Sequence, residues 1–309
     1  MKSQTGNALL LVFCALIWGL AFVAQSAGAG LGAYTFLACR SWLAVAALWP
    51  TVRGFDAVRR RRGLPSGAPA TPADRQLLGR AALACGTLLF TASAAQQIAI
   101  TMNASTAKAS FITAMYVVLV PVLGLLFGRR GSTQLWICMA ISVGGLYLLC
   151  MQGGFGQVES SDLVLLLCAF LFAFQIMAVG HYSPRLDGVR LSFDQFFVVA
   201  AESTVAAFLF EAPTWADIAA NAWPLLYCGL LSSGVGYTLQ IVGQKNLDPS
   251  IASLAMCLES VFGALGGWVI LGQSLSGREV LGCGLIFAAV VLAQLPLADW
   301  VRCRVGRGA

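Results

Sequence analysis

Four ionisable side chains interrupt long apolar stretches of the sequence. They are Arg40 in "TFLACRSWLAVAALW", Lys108 in "ASTAKASFITAMYVV", Glu202 in "FFVVAAESTVAAFLF" and Glu259 in "SLAMCLESVFGALGG". A carboxylate in such a place can take up a proton or a cation, and a base can hold an anion. Two amides join them. Gln240 lies on a polar stripe with Ser233, Gly236, Tyr237 and Gln244 at helical spacing, and Gln96 shares a helical face with Ser93. Amides both donate and accept hydrogen bonds, so Gln96 and Gln240 suit a polar solute held from two sides. Hydrogen bonding between helices would use the same groups. Trp18, Tyr116 and Tyr237 are candidate walls of such a site.

Two acids and two bases fit reversible binding of a zwitterionic or anionic solute, and they equally fit structural pairing between helices. Bond-making chemistry finds less support. His181 is the only histidine; there is no H-x-x-E pair, no paired aspartates and no G-x-S-x-G. The cysteines form no C-x-x-C pair, and Cys14, Cys39, Cys85, Cys168 and Cys257 lie within apolar runs, where they read as small packing residues. Neither a metal site nor a cofactor site is expected.

The elements that must position these groups follow from composition. The chain is 59% hydrophobic and 10% charged, against about 25% charged in soluble proteins, so its polar surface is too small for a water-soluble body of this length. A helix needs about 20 mostly apolar residues to cross a bilayer. Ten such runs occur, at 7–26, 33–50, 77–99, 104–127, 133–151, 162–180, 192–210, 223–243, 250–271 and 280–298. The expected fold is an all-α polytopic membrane protein with the lipid bilayer as its surroundings. The formal charge of +6 does not indicate nucleic acid, because the arginines separate apolar runs and form no patch with aromatics. The first run is long for a signal peptide, and removing it would break the charge pattern of the loops.

That pattern sets orientation. With a cytoplasmic N-terminus, the inner loops hold every Lys and Arg except Arg278, which is outside, and Arg40 and Lys108, which are within spans. The inner set includes Lys2, Arg59 to Arg62, Arg129, Arg130, Arg185, Arg190, Lys245, Arg302, Arg304 and Arg307, while the outer loops carry Glu159, Glu211 and Asp217. Both termini are expected in the cytoplasm. Residues 51–76 read as one long polar loop whose Arg run sets topology and could also touch anionic lipid.

Charges at bilayer depth cost about 2.5–3.5 kcal/mol on insertion scales and face the bundle interior. At the helical rise, Glu259 and Glu202 sit about 15 Å from the inner surface, and Arg40 and Lys108 about 10 and 6 Å from the outer one. Lys108 is also short enough of the surface to snorkel. The face of Glu259 carries Ala252, Ala255, Met256, Gly263 and Gly266. A face of small residues either packs closely on another helix or leaves room for a ligand.

The two halves look alike. "LLVFCALIWGLAFVA" has the shape of "LVLLLCAFLFAFQIMA", and one fixed offset sets Gln96 on Gln240, Val117 on Val261, Gly128 on Gly272 and Ser132 on Ser276. Residues 1–151 and 152–309 would then be five-helix repeats of opposite orientation, with a site near the midplane between them and alternating access by rocking. The segments "IWGLAFVAQ", "AKASFITAMYVVLVPVLGLLFGRR" and "PSIASLAMCLESVFGALGGWVILGQSLSGREVLGCGLIFAAVVLA" resemble the EamA-type permeases of the drug/metabolite transporter superfamily. The chain departs from their pattern at Ser260, where the family carries proline after the acid, and at Gln273, where it carries glutamate. The resemblance implies ten helices in two inverted repeats, a cavity lined by helices 1–4 and 6–9, and export of small metabolites.

Together these readings point to a secondary transporter of a small, amino-acid-like or anionic solute in a bacterial inner membrane. The candidate substrate or coupling residues are Glu259, Gln240, Gln96, Lys108, Arg40, Tyr237, Tyr116 and Trp18. Because burial disfavours the charged form of an acid, Glu259 is the candidate for coupling to protons. A membrane-embedded enzyme and a non-transporting partner protein are the alternatives. Gly263, Gly266, Gly267, Gly282 and Gly284 could serve contacts within or between chains, so the oligomeric state stays open.

Overall fold

Each apolar run folds as a membrane-length helix. The computed structural model describes residues 2–102, 104, 106–129, 131–151, 159–245, 247–271 and 274–295. Arg130, Gly272, Gln273, the junction at 152, and Arg302, Arg304 and Arg307 lie outside the described residues. The spans are α1 (Gly6–Ala27), α2 (Ala33–Arg61), α3 (Pro72–Thr101), α4 (Lys108–Leu126), α5 (Thr133–Cys150), α6 (Ser160–Arg185), α7 (Gly188–Phe210), α8 (Ala222–Gln244), α9 (Pro249–Val269) and α10 (Gly277–Gln294).

One expected boundary is corrected. The helix α2 does not stop at Pro50 but runs on to Arg61. Its extension is held from the side, because Arg59 pairs with Asp187 at 2.7 Å and Arg190 pairs with Asp56, joining the end of α2 to the start of α7. Half of the expected loop 51–76 is therefore helix. It closes through Gly63, whose φ of +66° lets Gly63 N–H reach Arg60 O and Leu64 N–H reach Arg59 O, the left-handed cap that glycine permits at least cost. Thr71 then caps α3, accepting from Asp74 N–H while Asp74 accepts from Thr71 N–H.

The opposite end of the same helix pair is fastened too. Tyr34 N–H and Thr35 N–H donate to the two carboxylate oxygens of Glu211 at 2.9 and 2.8 Å. These are free N-terminal amides of α2, and a carboxylate there is also favoured by the helix dipole. So α2 and α7, packed along their length, are tied at both ends.

The remaining packing has a regular pattern. The helix α5 packs along α10, α3 along α6 as α8 along α1, α4 against α6 as α9 against α1, and α3 against α7 as α8 against α2. Each contact thus has a counterpart five helices away. Close crossings are made by glycine. A Cβ on Gly19 of α1 would lie 2.5 Å from Glu259 O and 2.6 Å from Gly263 N, and one on Gly145 of α5 would lie 2.8 Å from Gly282 O on α10. The small face around Glu259 is therefore a packed seam against α1.

Three spans are irregular. The helix α4 breaks at Met115 and α9 at Cys257, and α8 is π-helical from Tyr227 to Gly236. In α4, Pro121 follows closely and cannot donate to Val117 O. In α9 no proline follows the acid, yet the helix breaks: Cys257 N–H still reaches Ser253 O, while Ser260 N–H turns tightly to Cys257 O at 3.2 Å.

The seam predicts a strong asymmetry among glycines. Gly19→Ala should lower the stability of the purified protein by about 1–3 kcal/mol, the cost of overpacking. Gly284→Ala, with nothing within 4 Å of the added carbon, should leave thermal unfolding unchanged or slightly raised.

Candidate functional site

The two breaks face one another. Tyr116 opens the second half of α4 and Glu259 is the second residue after the break in α9. Between them, Tyr116 OH donates to Glu259 Oε1 at 2.9 Å. Further ties brace the same crossing. Ser110 Oγ lies 2.8 Å from Ser260 Oγ, and Cys257 Sγ lies 3.9 Å from Ala114 O. The position that lacks proline thus carries a hydroxyl that bonds across to α4. Glu259 is only 4% exposed, and among the described residues it has no ion-pair partner.

Beside this crossing lies a buried cavity at the centre of the bundle, contributed to by α1, α2, α3, α4, α6, α8 and α9. Trp18, Arg40, Gln96, Tyr116, Tyr237, Gln240 and Glu259 all line it, so seven of the eight expected site residues converge. Its volume is ≈ 30 Å³, about two to three times the ~10–15 Å³ that one buried water needs. In this conformation it has space for water-sized occupants only.

The base at the site is Arg40, which is 4% exposed. Its Nε–H donates to Ser233 Oγ at 3.1 Å, and no carboxylate pairs with it among the described residues. The π-helical stretch of α8 makes this contact possible. Gly229 lets α8 approach α2 so closely that a Cβ there would lie 3.0 Å from Arg40 O, and the widened helical turns place Ser232 on the cavity wall and Ser233 beside Arg40. Trp18 Nε1–H donates to Ser232 O at 3.3 Å, and its ring tilts against Tyr237 with centroids 4.6 Å apart. Gly236 leaves room for that ring, since a Cβ there would lie 2.7 Å from Trp18 Nε1.

The amides do different things. Gln240 and Gln175 donate to one another's side-chain oxygens, at 3.0 and 3.4 Å, forming a closed pair between α8 and α6. Gln96 Nε2–H donates to Thr113 Oγ1 at 3.4 Å. Gln25, Thr113, Phe172 and Ser232 also line the cavity and were not anticipated. Gln175 was legible as a lone amide in the apolar run of α6, the same signal that marked Gln240.

Lys108 is the exception among the expected site residues. It lies at the end of α4, paired with Asp162 at 2.8 Å and Glu159 at 3.6 Å, and does not line the cavity. Its partners cap the start of α6, far away in sequence, and they hold it at the end of the bundle. Glu202 also lies away from the cavity, where Thr87 Oγ1–H donates to its Oε1 at 2.6 Å.

Ten apolar spans surround a small, buried cavity lined by an acid, a base and amides. Residues 159–295, a little under half of the chain, match the model of the EamA-like transporter family, which supports a membrane transporter of small solutes. An uncharacterized transporter of Archaeoglobus fulgidus is 26% identical over 295 residues, covering 92% of this chain and 84% of that protein. The threonine/homoserine exporter RhtA of Salmonella typhimurium is 26% identical over 180 residues, 56% of this chain and 58% of the exporter. A solved crystal structure superposes with a TM-score of 0.75 over 96% of this chain and 99% of that one, at 20% identity, a likeness of fold.

The reciprocal amide pair makes a stability prediction. Gln240→Leu strands the amide of Gln175 and should cost about 1–3 kcal/mol, whereas Gln175→Leu with Gln240→Leu removes both partners and should recover much of the loss. Thermal unfolding of the three variants in detergent measures this directly.

Proposed function

We propose that this protein exports a small zwitterionic solute of amino-acid type by alternating access, with protons as the coupling ion. One observation carries the reading: a buried guanidinium and a buried carboxylate line the same cavity, and no ion pair among the described residues joins them. Buried charges are costly unless paired or hydrogen-bonded. A solute bringing a carboxylate to Arg40 and an ammonium to Glu259 supplies both missing partners at once. The name of the partly matching relative, a threonine/homoserine exporter, supports the same class of solute.

The proposed cycle uses the two halves, residues 1–151 and 152–309, as inverted repeats. In support, helix contacts recur five helices apart, and the breaks in α4 and α9 occupy equivalent places. The water-sized cavity corresponds to a closed state, from which either end opens by relative motion of the halves. Glu259 alternates between a proton and the solute's ammonium group, and Tyr116 holds the carboxylate in place for both. Trp18, Tyr237, Gln96 and Gln240 shape the remaining walls. The basic end, with Arg59, Arg190 and Lys245, faces the cytoplasm of a bacterial cell, so both termini are inside.

Proteoliposomes test the reading. With threonine as solute, Glu259→Gln should abolish accumulation driven by a pH gradient and, by removing the partner of the solute's ammonium, lower exchange of labelled for unlabelled solute at least tenfold. Gradient-driven flux equal to that of the unaltered protein would refute coupling at Glu259. Arg40→Met should lower both activities by at least tenfold, and unchanged exchange would remove Arg40 from the site.

A further inference from the structure

A second carboxylate site opens on the outer surface of the bundle and shares no lining residue with the central cavity. It is a groove of ≈ 560 Å³ between α3 and α7, with Tyr34 of α2 at its rim and Glu202 among its walls. Phe210, at the end of α7, sits beside Tyr34 with ring centroids 5.7 Å apart. Phe90 of α3 lies on the other side of Tyr34, at 6.3 Å. Val205 and Leu209 complete an apolar wall. Glu202 lies roughly 12 Å of helix short of Phe210 at the usual rise, so the acid is set well below the rim.

Glu202 is only half provided for. Thr87 donates to Oε1, but Oε2 is buried with no hydrogen-bond partner, and no lysine or arginine lines the groove. A carboxylate at this depth is costly without a counter-charge. An acid set below an aromatic rim is the chemistry that holds an amphipathic organic cation, the acid through charge and the rings through apolar contact with its body.

We infer that this groove is a binding site for amphipathic organic cations, in which a protonated amine reaches Glu202 and an apolar or aromatic body lies along Tyr34, Phe90 and Phe210. The groove opens sideways from the bundle, so such a ligand reaches it from the bilayer and not through the central cavity. The ammonium would supply the counter-charge that the Glu202 carboxylate lacks, while Thr87 fixes Oε1. This site is independent of the solute pathway through Arg40 and Glu259.

Dansylcadaverine, a fluorescent aromatic body on a primary ammonium chain, is a direct probe. The full chain in phosphatidylcholine nanodiscs should show saturable enhancement of its fluorescence, and the uncharged dansylamide should show none. Glu202→Gln keeps the Thr87 hydrogen bond and removes the charge, and should weaken binding at least tenfold. Glu259→Gln should bind the probe as the unaltered protein does. Should Glu202→Gln not fold, Val205→Trp, which fills the groove from its exposed wall, carries the same expectation of loss. Equal affinity in Glu202→Gln or Val205→Trp, equal binding of dansylamide, or loss of binding in Glu259→Gln would overturn the assignment. Loss on replacing phosphatidylcholine by phosphatidylethanolamine would likewise overturn it, by giving the groove to a lipid ammonium group.

Discussion

A charge placed among membrane helices must find a counter-charge, a hydrogen bond or water, and the architecture around Glu259 is arranged by that demand. The acid is held by the hydroxyl of Tyr116 across two interrupted helices. An intact helix would keep its backbone groups to itself; a break lets one side chain from each strand of the crossing meet at the bundle's centre. The glycine seam of Gly19 and Gly263 then brings α1 against the same stretch of α9, which puts Trp18 at the cavity wall. Moving the acid by one residue would turn its side chain about 100° around the helix and away from the Tyr116 hydroxyl.

The rest of the molecule divides into fastened and unfastened parts. The pair α2 and α7 is bound at one end by Glu211 and at the other by the Arg59–Asp187 and Arg190–Asp56 ion pairs. The pair α5 and α10 is locked by Gly145 against Gly282, and Gln134 donates to Leu292 O at 2.6 Å. Between these pairs stand α4, α8 and α9, each with an irregular stretch at the cavity. Irregular backbone at membrane depth is tolerated where it is buried in protein or lines a cavity, and here it is found at the cavity.

Most of this was legible from hydrophobicity. Ten runs stood out because a bilayer demands length and apolarity, and all ten are helices. Polar residues at depth were legible for the same reason, which is why Arg40, Gln96, Gln240 and Glu259 could be singled out and are found together. What failed depended on partners remote in sequence. Lys108 looked like Arg40 until Asp162 was seen beside it. The end of α2 was misplaced because Pro50 and the Arg run read as a stop, while the ion pairs that extend the helix come from α7. Nothing local marked the break at Cys257, since no proline follows; the glycines and serines of "YCGLLSSGVGY" are the only hint of the π-helical stretch in α8.

The central claim is that Arg40 and Glu259 recognise opposite ends of one small zwitterion. It is tested most directly by thermal stabilisation of the purified protein with three relatives of one solute: threonine, its decarboxylated amine and its N-acetyl derivative. Threonine should stabilise the protein, while the amine and the N-acetyl acid, each lacking one charge, should not. Equal stabilisation by all three, or stabilisation by threonine that survives Arg40→Met together with Glu259→Gln, would contradict it.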